Sequence, residues 1–379
     1  VILPHATPTP SPAGTAPHAH FLTVALEAVS RAAVLTRFIQ RSLRESDRAS
    51  KGVDDPVTVG DFASQAVVNH VLTSRLGPVA IVGEESAARL RAPGGEALRA
   101  ATVALARRVW TDATDDDVLS AIDLGAPPPT ERDAAAPTTL TASDSHSSVP
   151  RAAAPDTFWT LDPIDGTKGF IRGHQYCVAL AFVERGRPVV AALACPNLSA
   201  DFDRPLTDPD PRGQTFLAAA STSTGQPGTL VVLPTNDPAA TPRAVQRVPA
   251  PAAAPLRFTE SFEPTHSSHG VTAKLAQALR ESGRAVADPV RIDSQCKYAM
   301  VARGQSDIYL RSPKRTYIDK VWDHAPGGLV AACAGCTVTD AHGTPLDFSG
   351  GPYLTRNHGT IVAEPTLHQT LLALIPRAL

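Results

Sequence analysis

The chain has 379 residues, 43% hydrophobic and 19% charged, enough for two compact domains of roughly 100–200 residues each. Lys and Arg number 35 against 37 Asp and Glu, a net charge of -2, so the basic excess that duplex nucleic acid demands is missing and no such partner is expected. The 5 cysteines, Cys177, Cys195, Cys296, Cys333 and Cys336, form an odd set without a disulfide-framework spacing, and the expectation is a reducing, cytoplasmic setting.

Residues 1–18, rich in Pro, Ala and Thr, read as a loose arm. Phe21, Val24, Leu35, Phe38 and Leu43 then fall at helical spacing, and Glu27, Arg31 and Arg37 interrupt the run, which excludes a membrane span. A second helix is predicted over 61–75, with Val67, Val68, Val71 and Leu72 inward, and a buried strand over 78–82 ending at Gly83-Glu84-Glu85. Segments 125–155 and part of 201–255 are heavy in Pro, Ala, Ser and Thr and read as inserts that bury little. Between them, 158–161 is a strand entering a turn, 176–183 and 188–194 pair as a hairpin, and 213–218 offers a further strand. Helices near 268–282, 294–303 and 320–333 then alternate with strands near 290–292, 307–310 and 359–363. The expectation is an α+β domain over 1–255 followed by an α/β domain over 256–379. Cys333 and Cys336 form one CxxC in an apolar helical stretch, which cannot complete a four-ligand zinc site and is expected to pack in a core.

The chemistry concentrates in Leu161-Asp162-Pro163-Ile164-Asp165-Gly166-Thr167-Lys168. A strand delivers two carboxylates around a proline-stiffened turn, where Asp162, Asp165 and the Ile164 carbonyl can converge on a hard cation. Gly166 has no Cβ, so a phosphate can approach the Gly166 and Thr167 N–H groups if a helix begins there. The competing reading is an Asx turn, with both aspartates bonding local amides. Three more acidic elements stand at related places: Gly60-Asp61 and Trp322-Asp323-His324, each read as opening a helix, and Glu84-Glu85 ending a strand. Alone, Asp61 and Asp323 would be N-caps and the glutamates solvated loop charge.

The ordered set GDFASQ, VGEES, LDPIDGTKGF and VWDHAPGG resembles the inositol monophosphatase superfamily, over roughly 57–85 and 157–348. The resemblance implies a layered αβαβα sandwich with metals at the junction of its halves. It implies Glu84, Asp162, the Ile164 carbonyl, Asp165 and Asp323 as ligands of two or three Mg2+, with Asp61 and Thr167 orienting and deprotonating the attacking water and Glu85 behind Glu84. Five carboxylates drawn together would otherwise take up protons or splay apart.

Three further stretches, Thr265-His266-Ser267-Ser268-His269, Ser294-Gln295-Cys296-Lys297-Tyr298 and Asp307-Ile308-Tyr309-Leu310-Arg311, resemble the bisphosphate nucleotidase branch. By that similarity His266, Ser294, Lys297 and Arg311 line a pocket for adenosine 3',5'-bisphosphate, with Gly166 and Thr167 at the reacting phosphate. Arg311 is expected to stand apart from the metal cluster and hold the second phosphate. Taken alone, the same residues read as helix caps and surface charge. An inositol polyphosphate 1-phosphatase is the alternative enzyme, and an inactive nucleotide- or metal-binding regulator the non-enzyme alternative. Pro326 and Cys336 depart from the family pattern without removing a ligand. Lithium sensitivity and a monomer acting on a small molecule complete the expectation.

Overall fold

The computed structural model describes residues 18–46, 56–126, 155–221, 228–248, 251, 253–262, 269–312 and 317–378. Two long helices open it, α1 (Ala19–Ser46) and α2 (Pro56–Leu76), followed by β1 (Ile81–Gly83). The helix predicted to open at Asp61 therefore starts earlier, because Pro56 has no N–H to leave unpaired in a first turn; Asp61 lies inside α2 and is no N-cap. Residues 86–123, unread in the sequence, form α3 (Ala88–Arg91), α4 (Glu96–Ala106) and α5 (Asp115–Asp123). Thr114 and Asp117 close a capping box at the start of α5.

Next come β2 (Thr157–Asp165), α6 (Thr167–Ile171), β3 (Cys177–Glu184), β4 (Arg187–Cys195), β5 (Gln214–Ala219), β6 (Thr229–Leu233) and β7 (Arg243–Ala244). Strands β1 to β7 form one sheet in chain order, with only the β1–β2 pair parallel. The segment read as a second insert thus supplies three strands. The first of them, β5, is the strand read over 213–218, with Phe216 and Leu217 buried; Leu230 and Val232 of β6 are buried too, a contribution that the Pro- and Ala-rich composition of the segment conceals. The first insert lies largely outside the described residues, at 127–154.

The rest alternates: β8 (Phe258–Glu260), α7 (His269–Glu281), β9 (Val290–Arg291), α8 (Cys296–Ala302), β10 (Ile308–Arg311), a 3-10 turn (Val321–Asp323), α9 (Ala325–Cys333), β11 (Thr337–Thr339), β12 (Thr360–Ala363) and α10 (Pro365–Ala378). These strands form a second sheet in the order β11-β12-β10-β8-β9. Residue 255 falls between the last strand of one sheet and the first of the other.

The layers follow from strand periodicity. On β3, Val178, Leu180 and Phe182 pack on α1 and α2, while Ala179, Ala181 and Val183 pack on α8 and α9. On β10, Tyr309 faces α8 and α9, whereas Ile308 and Leu310 face α7 and α10. Helices, sheet, helices, sheet and helices therefore stack in five layers. Cys333 and Cys336 enter two different cores of this stack, and burial pushes their thiols up to about 12 and about 11. No helix among the described residues is long and apolar enough to cross a membrane.

The middle helical layer is tightly fitted, since a Cβ on Gly327 would lie 2.3 Å from the Tyr298 ring. Gly327→Ala is expected to destabilise the fold by about 1–3 kcal/mol through overpacking, seen as a lower chemical-denaturation midpoint. An unchanged midpoint would mean that α8 and α9 can separate freely.

Candidate active site

Local geometry gathers the carboxylates. The β2–β3 register shifts between Asp162 and Asp165, a bulge that re-aims both side chains at the strand end. Gly166 follows at φ 89°, and α6 starts at Thr167, whose hydroxyl donates to the Ile164 carbonyl at 3.3 Å. Because β1 runs parallel to β2 with Gly83 opposite Leu161, Glu84 emerges beside Asp162. Gln65 clamps that strand end, accepting from Glu85 N at 3.0 Å and donating to Glu85 O at 2.7 Å.

Asp323 arrives from the other sheet's connection, in the 3-10 turn. It does not open α9: His324 precedes that helix without a side-chain cap, and Pro326 occupies its tolerant first turn. Glu84, Asp162, Ile164, Asp165, Gly166, Thr167, Ser294, Lys297, Arg311 and Asp323 all line one cleft of about 290 Å³. Asp61 is not on that lining, although its charge acts on Asp162. His266 lies outside the described residues.

Electrostatics records the crowding. Burial, then the charges of Glu84, Asp165, Asp323 and Asp61, hold the Asp162 carboxyl well above its usual range. Burial and Asp323 raise Asp165 to about 7 against the pull of Lys297. Glu84 is raised by burial and Asp323 while Lys320 opposes, and Glu85 reaches about 7 through burial and Glu84. Asp162 Oδ1 is buried and has no hydrogen-bond partner among the described residues. An orphaned acceptor among four carboxylates and a backbone carbonyl is the all-oxygen donor set that suits a hard divalent cation.

The cationic wall is built differently from expectation. Arg311 does not stand apart: its Nη2 donates to Asp323 Oδ2 at 3.3 Å, and its Nε lies 2.8 Å from Asp319 Oδ1. The strand that carries Arg311 ends against the turn that carries Asp323, and a buried guanidinium takes the nearest carboxylates. Lys297 is buried, donates to the Ile292 carbonyl at 3.2 Å and sits over the Tyr309 ring; burial lowers its pKa. That placement removes the reading of Lys297 as solvated surface charge. Ser294 takes φ 71°, unusual for a non-glycine residue, and a Cβ on Gly166 would lie 2.7 Å from its Cβ, so the two backbones approach closely.

Sequence reasoning passed over three residues here. Gln295 N donates to Asp165 Oδ2 at 2.6 Å, while its amide receives Gly327 N and donates to Trp322 O, both at 2.9 Å. Lys320 Nζ meets Glu84 Oε1 at 2.9 Å, and Asp319 backs Arg311. Both lie just upstream of Trp322-Asp323-His324, where a Lys and an Asp read as ordinary loop charge.

Comparison with known proteins agrees with this arrangement. Residues 136–378 match the inositol monophosphatase family. A 3'(2'),5'-bisphosphate nucleotidase of Oryza sativa is 36% identical over 373 residues, covering 96% of this chain and 95% of its own length. The 3'(2'),5'-bisphosphate nucleotidase 1 of Arabidopsis thaliana is 37% identical over 93% of this chain and 94% of its own. This chain belongs to the inositol monophosphatase family. The fold agrees: Mycobacterium tuberculosis SuhB superposes with a TM-score of 0.54 at 19% identity, covering 95% of this chain and 97% of its own. CysQ from Bacteroides thetaiotaomicron, a bacterial member of the inositol monophosphatase family, does so at 0.52 and 18% identity, covering 91% and 97%. Within the family fold, the carboxylates stand where the two sheets' connections meet.

The raised carboxyls of this inositol monophosphatase-family site make a sign prediction. A carboxyl whose folded pKa exceeds its unfolded value lends stability that is complete below about pH 4 and is lost as pH rises through the folded value, here about 7 for Asp165. In chelator, Tm is expected to fall between pH 5 and pH 8 and to recover on adding Mg2+, and Asp165→Asn to flatten the fall. A chelated Tm that rises over that range would show that the cluster is looser than described.

Proposed function

We propose that this chain is a Mg2+-dependent 3'(2'),5'-bisphosphate nucleotidase that converts adenosine 3',5'-bisphosphate to AMP and phosphate, and 3'-phosphoadenylyl sulfate to adenylyl sulfate. The observation that carries the reading is one cleft lined by a carboxylate cluster together with buried Lys297 and Arg311. A monophosphate needs only the carboxylates and the cations they hold. A second, non-reacting phosphate needs fixed cationic donors of its own, which Lys297 and Arg311 offer. Relatives that carry the bisphosphate nucleotidase name over nearly the full chain support the same choice.

Glu84, Asp162, the Ile164 carbonyl, Asp165 and Asp323 would hold the Mg2+ ions. Bound there, Mg2+ supplies charge neutralisation and Lewis-acid stabilisation of phosphoryl oxygens. The chain's residues do the rest. Asp61 and Thr167 orient the attacking water, and Asp61 takes its proton as the water oxygen bonds to phosphorus. The bond from phosphorus to the ribose 3'-oxygen breaks in line, and that oxygen takes up a proton as AMP leaves. Gly166, free of a Cβ, lets the reacting phosphate approach the backbone at the start of α6. Ser294, Lys297, Arg311 and His266 hold the remainder of the nucleotide.

A phosphate-release panel tests this. Adenosine 3',5'-bisphosphate should be the best substrate and inositol 1-phosphate much poorer, with activity lost in chelator and inhibited by Li+. Equal or better turnover of an inositol phosphate would sink the nucleotidase assignment and leave the family standing. Thr167→Ala is expected to lower kcat about 100-fold at similar KM, because orienting the water matters chiefly in the transition state. A rise in KM alone would make Thr167 a binding residue.

A further inference from the structure

Asp319 is outside the carboxylate cluster, yet it is only 3% exposed. Its Oδ1 lies 2.8 Å from Arg311 Nε and 3.3 Å from His324 Nε2, and neither contact is aligned as a hydrogen bond, so charge draws Arg311 to Asp319 and the buried imidazole packs beside them. The other ring nitrogen of His324, Nδ1, meets the Tyr298 hydroxyl at 2.7 Å and the Thr360 hydroxyl at 3.2 Å. Asp319 is thus backed by an imidazole that is itself tied to α8 and β12.

Asp319, Asp323 and His324 offer oxygen and nitrogen atoms within 4.8 Å of one another, a spacing that could suit a metal ion. Arg311 already supplies the positive charge between the two carboxylates, so the local cation is a guanidinium. A guanidinium is planar, with five N–H donors in fixed directions. Holding its Nε edge fixes the plane and therefore where the Nη donors point. Without Asp319, the remaining carboxylate contact is Asp323 at 3.3 Å, and a buried cation with one carboxylate partner turns toward it.

From this geometry we infer that Asp319 is a positioning residue: it holds Arg311 for the second anionic group of the substrate, so this buried carboxylate sets selectivity for a bisphosphate over a monophosphate. The inference rests on the phosphate-binding role proposed above for Arg311.

The test uses the full chain with Mg2+ and compares adenosine 3',5'-bisphosphate with adenosine 3'-monophosphate, alongside calorimetric binding of AMP. Asp319→Asn should raise KM for the bisphosphate about tenfold, the scale of one weakened charged hydrogen bond, with a comparable loss of AMP affinity. It should change KM for the monophosphate far less and leave kcat within about threefold on either substrate. Asp319→Glu should recover most of the loss. Added to Arg311→Ala, Asp319→Asn should cost no more than about twofold further, because the two act through one contact.

Equal losses on both substrates, or additive losses in the double variant, would overturn the inference. Where Arg311→Ala separates the substrates and Asp319→Asn does not, the inference alone fails. Where Arg311→Ala fails to separate them, the phosphate role of Arg311 fails and the inference falls with it. Arg311→Lys keeps the question open to test if Asp319→Asn does not fold. An ammonium drawn to Asp319 cannot also reach the phosphate, so KM for the bisphosphate should rise nearly as far as in Arg311→Ala, and a wild-type KM would refute the need for an anchored guanidinium.

Discussion

Mutual repulsion among buried carboxylates is the constraint on which the site depends. Asp162 feels Glu84, Asp165, Asp323 and Asp61 at once, and those groups come from β1's end, β2, the 3-10 turn and α2. No single element could crowd them so, because neighbouring side chains on a strand or helix diverge. The two sheets and the helices between them act as a frame that holds like charges together. The rigidity is visible in the clamps: Gln65 on Glu85, Gln295 on Asp165 and Gly327, and Gly166 pressed against Ser294. Each clamp joins segments distant in sequence, so the carboxylates cannot relax apart without breaking bonds elsewhere.

The chain's own cations relieve part of that repulsion. Lys320 answers Glu84, and Arg311 answers Asp323 while leaning on Asp319. Desolvation works against Arg311, but Asp319 and Asp323 outweigh it and raise its pKa, so the guanidinium stays charged in a buried place. Lys297 has no carboxylate at salt-bridge distance among the described residues; burial pulls its pKa down, and its ammonium rests on a carbonyl and an aromatic face. A cation left short of counter-charge in a cleft favours an anionic ligand, which recovers the lost hydration energy.

How much of this was legible in the sequence depends on distance along the chain. The Asp162 to Thr167 run could be read because strand, bulge, glycine and helix start are consecutive, and their chemistry is local. The α/β alternation after Arg257 was legible from apolar periodicity for the same reason. The placement of Asp61 was not: a helix start five residues upstream changes it from a cap into a mid-helix acid. Within 201–255 the strand read over 213–218 is β5, but β6 and β7 were hidden because their partners lie in β5 and in one another, while Pro and Ala dominate what surrounds them. The partners of Arg311 were hidden too, since a basic residue ending a strand gives no sign of which carboxylates the next turn will bring.

The pairing of Arg311 with Asp323 also ties the cationic side chains of the cleft to its carboxylates. One guanidinium touches a proposed metal ligand and lines the space proposed for the remote phosphate. A divalent cation drawing on Asp323 would weaken the hold of that carboxylate on Arg311, since both would compete for the same negative charge. Arg311 would then keep Asp319 as its anchor and turn more of its donor capacity toward an anion. Under the proposed function, cation and anion binding would therefore be thermodynamically linked, and the link would be reciprocal: an anion that drew Arg311 from Asp323 would leave that carboxylate more available to a cation.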